Sequence, residues 1–218
     1  MVWTPLHRRS LLAVALVGLL AFAPPRAIAQ DSTNESVESI LLVAARHLND
    51  PNFYRSVVLV MFPAESGPSG VILNRPSKMT LRDIWPEPEE RNGRTDTLYF
   101  GGPVQPDGLL FLFRMAPPPV RAWYATDDIY FSGDGDLLMQ LLEQTEPAHE
   151  QRFFAGFSAW AKGQLESEIS RGDWHVLKVD PEVIYDTDPA TLWERMYQRA
   201  TLLRAGPVLP QYRTVAYR

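Results

Sequence analysis

The chain has 218 residues, a formal charge of −5 and no cysteine. The missing cysteines exclude disulfides, thiolate catalysis and Cys-ligated zinc or iron–sulfur sites, so the fold must rest on its core. The acidic balance argues against a nucleic-acid surface.

Residues 1–9 carry Arg8 and Arg9 and no acid, Leu11–Ala23 is apolar apart from Gly18, and Pro24-Pro25 precedes Ala27-Ile28-Ala29. The apolar run is shorter than the roughly 20 residues of a bilayer-spanning helix. A positive start, a short apolar stretch and an A-x-A end predict a secretory signal peptide cut after Ala29. Arg8-Arg9, one spacer and Leu11-Leu12 also fit the twin-arginine export pattern, so both export routes stay open. Cleavage removes Arg8, Arg9 and Arg26 and takes the charge from −5 to −8. No transmembrane span then remains, and the mature protein is expected in the periplasm or outside the cell.

Residues 30–39 read as a flexible segment, 40–205 as one domain and 206–218 as a C-terminal tail. Ile40 to Ala45 starts the core. Val57–Phe62 is continuously apolar and β-branched, which predicts a strand buried on both faces. The Gly- and Pro-rich stretch 63–70 is a turn, and Val71–Leu73 returns as the second strand of a hairpin. Thr80 is placed to cap a short helix through Trp85, and 87–97 reads as a charged loop. Leu98–Phe100 and Leu109–Phe113 are strands around a Gly-Gly-Pro turn. Three prolines make 115–120 a rigid connector, and Trp123–Phe131 reads as one edge strand.

Asp134 or Asp136 is placed to cap a helix over 136–144. Phe153–Trp160 is a strand, Gly163–Ser170 a helix stopped by Gly172, and Trp174–Val179 a further strand. Pro189–Leu203 is a final amphipathic helix. With no βαβ rhythm, the order favours an α+β fold.

Several short motifs recur against these core strands. They are Asp50-Pro51-Asn52-Phe53, Gly70 to Pro76 with its Asn74-Arg75-Pro76 ending, Gly101-Gly102-Pro103-Val104, and Gly163-Gln164-Leu165-Glu166 followed by Glu168-Ile169 and Trp174. In this order they resemble the YqgE/AlgH family of bacterial proteins. Ala159 and Ala161 stand where that family usually has glycine, and Lys162 where it has proline. The resemblance implies a compact α+β domain with a branched, mixed and mainly antiparallel sheet, partly barrel-like and flanked by helices. It implies no catalytic residues. The family carries a label of transcriptional regulator, which requires a cytoplasmic form, whereas this chain opens with an export signal.

The residues themselves suggest a ligand site. Arg75, held extended before Pro76, is a bidentate partner for a carboxylate or phosphate, and the Gly101-Gly102 amides can form a small anion nest. Asn74, Gln105 and Gln164 border the same motifs. A plainer reading has Asn74 and Arg75 tying down the hairpin and the glycines only turning the chain. Trp160 and Trp174 are expected in the core.

Catalytic patterns are poor. Gly156-Phe157-Ser158-Ala159-Trp160 lacks the second glycine of a nucleophile elbow, leaving a Ser158–His175 hydrolase as a minor alternative. Asp134-Gly135-Asp136 lacks the remainder of a calcium loop, and no metal or cofactor is expected. The leading expectation is an exported, non-catalytic binding or accessory protein that recognises a protein partner or a small anionic ligand.

Overall fold

The computed structural model describes residues 39–63, 67–84, 96–143 and 151–205. The expected signal peptide, nearly all of the N-terminal segment, Trp85, most of the charged loop, Gln144 and the C-terminal tail lie outside them.

The longest apolar run sits at the centre of the fold. β2 (Val57–Met61) is buried at every position, between β1 (Ile40–Ala44) and β3 (Ser69–Ile72), both antiparallel to it. A strand covered on both faces needs no polar alternation, which is why this stretch reads as continuously apolar. β10 (Trp174–Lys178) pairs with the free side of β1.

β9 (Gln151–Ala159) joins this half of the sheet to the rest. One side pairs antiparallel with β6 (Val104–Arg114). The other side is shared: Ser158 and Ala159 face β3, while Phe153–Ala155 run parallel to β5 (Thr97–Phe100). β5 in turn holds β4 (Pro76–Thr80). Beyond β6 lie β8 (Ile129–Ser132) and β7 (Trp123–Thr126). The sheet is therefore branched at β9 and curls into a half-barrel, as expected for this α+β class.

Side-chain alternation along the branched region feeds two cores. Phe111, Phe113, Tyr130 and Phe153 pack with Leu98, Leu81 and the leucines of α2 (Gly135–Glu143). Leu112, Ile129, Phe131 and Phe154 face the larger core with β1, β2 and β3. α5 (Pro189–Ala205) closes that core with Leu192, Trp193, Met196 and Ala200, spaced to share one helical face. α1 (Leu81–Ile84), α3 (Gln164–Arg171) and α4 (Pro181–Ile184) complete the described helices.

Several expectations need correction. Trp123–Phe131 is two strands, β7 and β8, because Asp127 adopts φ 46° and reverses the chain. Asn and Asp tolerate this left-handed region better than other side chains, and the reversal is invisible to an apolar count. Thr80 does not accept a capping bond. Its amide and hydroxyl both donate to Asp83 Oδ2, at 2.7 and 3.0 Å. β6 begins at Val104 rather than Leu109, with a bulge between the two. β4 and α4 lie where the sequence predicts no element, and Ile40–Ala44, expected only to start the core, is the strand β1.

Candidate functional site

The motif residues converge, and their first task is structural. Asn74 Oδ1 accepts from Val57 N–H at 2.9 Å, and its Nδ2 donates to Arg55 O at 2.9 Å. Arg75 donates to Tyr54 O at 2.9 Å and Pro51 O at 3.4 Å. Burial lowers the Arg75 pKa, against the opposing pull of Asp50. The Asn74-Arg75 pair thus fastens the 50–55 turn to the β3 hairpin.

Gly101 and Gly102 occupy the point where β3 and β5 part along β9. Gly101 N–H donates to Ala155 O, while Gly101 O accepts from Ile72 N–H and from the Ser158 hydroxyl. Gly101's amide is therefore committed to the sheet and not turned outward as a nest. A Cβ on Gly101 would lie 2.2 Å from Gly156 O, and one on Gly102 2.3 Å from the Phe157 carbonyl carbon. Gln105 is exposed at the start of β6 with φ 46°.

Gln164 opens α3. Its Oε1 accepts from Ala161 N–H at 3.0 Å, and its Nε2 donates to Glu168 Oε1 at 3.0 Å. Glu168 Oε2 accepts both indole N–H groups, from Trp160 and Trp174, each at 2.9 Å. Phe53 stacks on Trp160 at 6.0 Å and meets Trp174 edge-on at 5.5 Å. The first and last family motifs thereby meet in one aromatic cluster around a single carboxylate. Both tryptophans are buried, as expected.

Sequence reasoning missed Arg152. It is buried on β9, donates to Leu73 O and Asp186 O, and lies 4.6 Å from the Tyr99 ring centre. Burial lowers its pKa, partly offset by Tyr99 and Asp186. A lone charge at the start of the apolar run Phe153–Phe157 was the available signal.

The catalytic alternatives find little geometry. The Ser158 hydroxyl points at Gly101 O, and His175 packs edge-on against Tyr197 at 5.1 Å. Along the sheet path β3, β2 and β1 separate β9 from β10, which carries His175. Among the described residues no group of three His, Asp or Glu side chains gathers as a metal site. Asp134 caps α2 by accepting Leu137 N–H at 2.8 Å.

An open concave site lies elsewhere, beside β7. It has a volume of about 520 Å³ and is lined by Leu110, Arg121, Trp123, Ser132 and Asp134 among others. β7 ends the strand path and pairs only with β8 among the described residues. Trp123 is 54% exposed and Val120 fully so. Arg121 bridges Asp134 at 3.2 Å and Asp136 at 2.9 Å. Those contacts raise its pKa, the Asp136 hydrogen bond most. Asp127 and Asp128 form the hairpin tip at the other end of β7, where Asp128 pairs with Arg114. At the concave site itself two aspartates stand against one arginine, which leaves it mildly acidic.

Comparison with known proteins places this architecture. The AlgH-like family model, DUF179, matches residues 41–203. A UPF0301 protein of Thermobifida fusca is 34% identical over 172 residues, covering 75% of this chain and 87% of its own length. A UPF0301 protein of Nocardia farcinica is 38% identical over 172 residues, covering 74% and 77%. The solution structure of the AlgH protein from Pseudomonas aeruginosa superposes with a TM-score of 0.61 at 27% identity, covering 83% of this chain and 99% of that one. A crystal structure of a Corynebacterium diphtheriae protein gives 0.62 at 26%, covering 76% and 88%.

Proposed function

The chain belongs to the AlgH-like family, and on that premise we propose that it is an exported, non-catalytic binding protein that takes an extended segment of a protein partner along β7. The observation that carries this reading is the open edge strand. An unpaired edge offers a row of backbone donors and acceptors to an added strand, and natural folds usually blunt such edges. β7 is short, four residues with a bulge between Tyr124 and Thr126, yet it carries exposed Trp123 beside a concave site, with exposed Val120 just before it. Tryptophan is a favoured anchor at protein interfaces. The acidic surround selects a basic, apolar-alternating segment and disfavours a small anion at this place.

The export half of the reading rests on residues 1–29. Fractionation of the native host with intact-mass analysis should find a species beginning at Gln30 outside the cytoplasm. A full-length cytoplasmic species would remove export and restore the regulatory reading. For the binding half, the probe is an octapeptide alternating Lys with Val, alongside its Glu counterpart. The Lys peptide should shift tryptophan emission saturably, the Glu peptide should not, and Trp123→Ser should abolish the response. Equal responses to both peptides, or a response that survives Trp123→Ser, would sink it.

A further inference from the structure

A different surface carries a second site, independent of β7. Arg55 closes the 50–55 turn with φ 51°, a left-handed conformation that side-chain-bearing residues avoid. The turn is nonetheless fixed there. Asn74 Nδ2 holds Arg55 O, Arg75 holds Tyr54 O and Pro51 O, and Ser56 N–H and its hydroxyl both donate to Phe53 O. The surrounding structure over-determines an unfavourable backbone, as is common at ligand clamps.

What the turn presents is a positioned cation. The Arg55 guanidinium lies 4.9 Å from the Trp193 ring centre and 5.3 Å from that of Tyr54. Two rings hold the guanidinium in place, yet its N–H fork makes no hydrogen bond or ion pair among the described residues. Arg55 and Tyr54 are both exposed. The acids nearest in sequence to this pair of rings make other contacts: Glu194, beside Trp193, pairs with Arg46, and Asp50, at the start of the turn, accepts from Asn52 N–H. Arg46 lies over Tyr197, whose ring is 5.3 Å from Trp193, so a second guanidinium borders the same run of rings.

We propose that Arg55 is the receptor of an oxyanion site, binding a carboxylate or phosphate group through its guanidinium fork between Tyr54 and Trp193. A planar, preoriented guanidinium matches both groups bidentately, and stacking on rings leaves its in-plane donors available. The left-handed backbone is the cost of aiming it. Asn74 and Arg75, which the sequence suggested as ligand contacts, hold the turn that carries the contact residue.

The test uses the chain as purified, ¹⁵N-labelled, at pH 7 and constant ionic strength. Inorganic phosphate and acetate are titrated separately, following the Arg55 Nε–H and the amides of Tyr54 to Ser56. A saturable shift at these positions, with only linear drift at Arg82, supports the site. Saturation by phosphate alone assigns a phosphate-bearing ligand, and saturation by acetate as well admits carboxylates. Arg55→Lys should weaken binding about tenfold by losing the fork, and Arg55→Gly should abolish it. Glycine accepts φ 51° without strain, so Arg55→Gly should also keep its urea midpoint or raise it. No saturable shift with either anion, a shift that survives Arg55→Gly, or a clear fall in that variant's urea midpoint would overturn the proposal. The last result would make Arg55 a structural clamp.

Discussion

Asn74 uses its amide on two backbone groups, Arg55 O in a distant turn and Val57 N–H, which starts a fully buried strand. Removing a partner from a buried donor costs more than the bond itself was worth, about 1–3 kcal/mol. Asn74→Ala should therefore lower the unfolding free energy by that order, read as a fall in the urea midpoint at unchanged slope. Asn74→Asp should also destabilise, because a carboxylate keeps the Val57 contact but cannot donate to Arg55 O. An Asp variant as stable as the native chain would show that the Arg55 O contact is unimportant. Glu168 poses a sharper case, since one carboxylate oxygen serves two buried indoles. Glu168→Ala leaves both N–H groups without that acceptor and should cost about 2–4 kcal/mol, with a change in tryptophan emission. Glu168→Gln keeps a carbonyl acceptor and should cost less; equal losses would mean that charge, not acceptance, matters there.

Helix ends show what local chemistry contributes at the next scale. Gly172 ends α3 with φ 84°, its amide donating to Ile169 O while Asp173 N–H donates to Glu168 O. That pair of bonds is the Schellman pattern, and it requires a left-handed residue. No neighbour lies within 4 Å of a Cβ at Gly172. Gly172→Ala should thus cost only the backbone penalty, about 1 kcal/mol, read as a small shift in thermal midpoint. Asp134 works at the other kind of end, accepting Leu137 N–H as the cap of α2. Asp134→Ala should lose about 1 kcal/mol, whereas Asp134→Asn should keep the cap while releasing one of Arg121's two ion pairs. An Asn variant that binds the Lys–Val peptide more weakly at unchanged stability would tie the charge, rather than the helix, to the β7 surface.

Over the whole molecule, β9 decides whether the fold exists. It holds β3 and β5 on one side and β6 on the other, and Gly101 and Gly102 sit in the fork. Backbones approach so closely there that a Cβ on Gly101 would meet Gly156 O at 2.2 Å, and one on Gly156 would meet Gly102 O at 2.6 Å. Neither contact is with a flexible side chain that could swing away. Gly101→Ala should cost about 3 kcal/mol or more and yield little soluble protein, since overpacking and backbone displacement act at the joint of two cores. Normal expression and an unchanged unfolding midpoint would refute the idea that this fork couples them. The glycine pair thus has a structural reason independent of any ligand.

Some of this was legible from residues alone. Continuous apolar runs gave β2 and much of β9 because strands covered on both faces need no alternation. Glycine marked the end of α3 because a left-handed cap leaves few alternatives. Charge and spacing in residues 1–29 define the export expectation, and motif order carried the family. Tertiary structure decided the rest, because those features depend on contacts between residues far apart in the chain. Asp127 reverses β7 into β8 through one backbone angle. Arg152 is a buried cation because Leu73 and Asp186 bring carbonyls to it from distant elements. Asn74 and Arg75, read from sequence either as ligand contacts or as ties for the hairpin, fasten a turn that no local pattern predicted. Arg55, one arginine among many in the sequence, stands out only where Tyr54 and Trp193 converge on it.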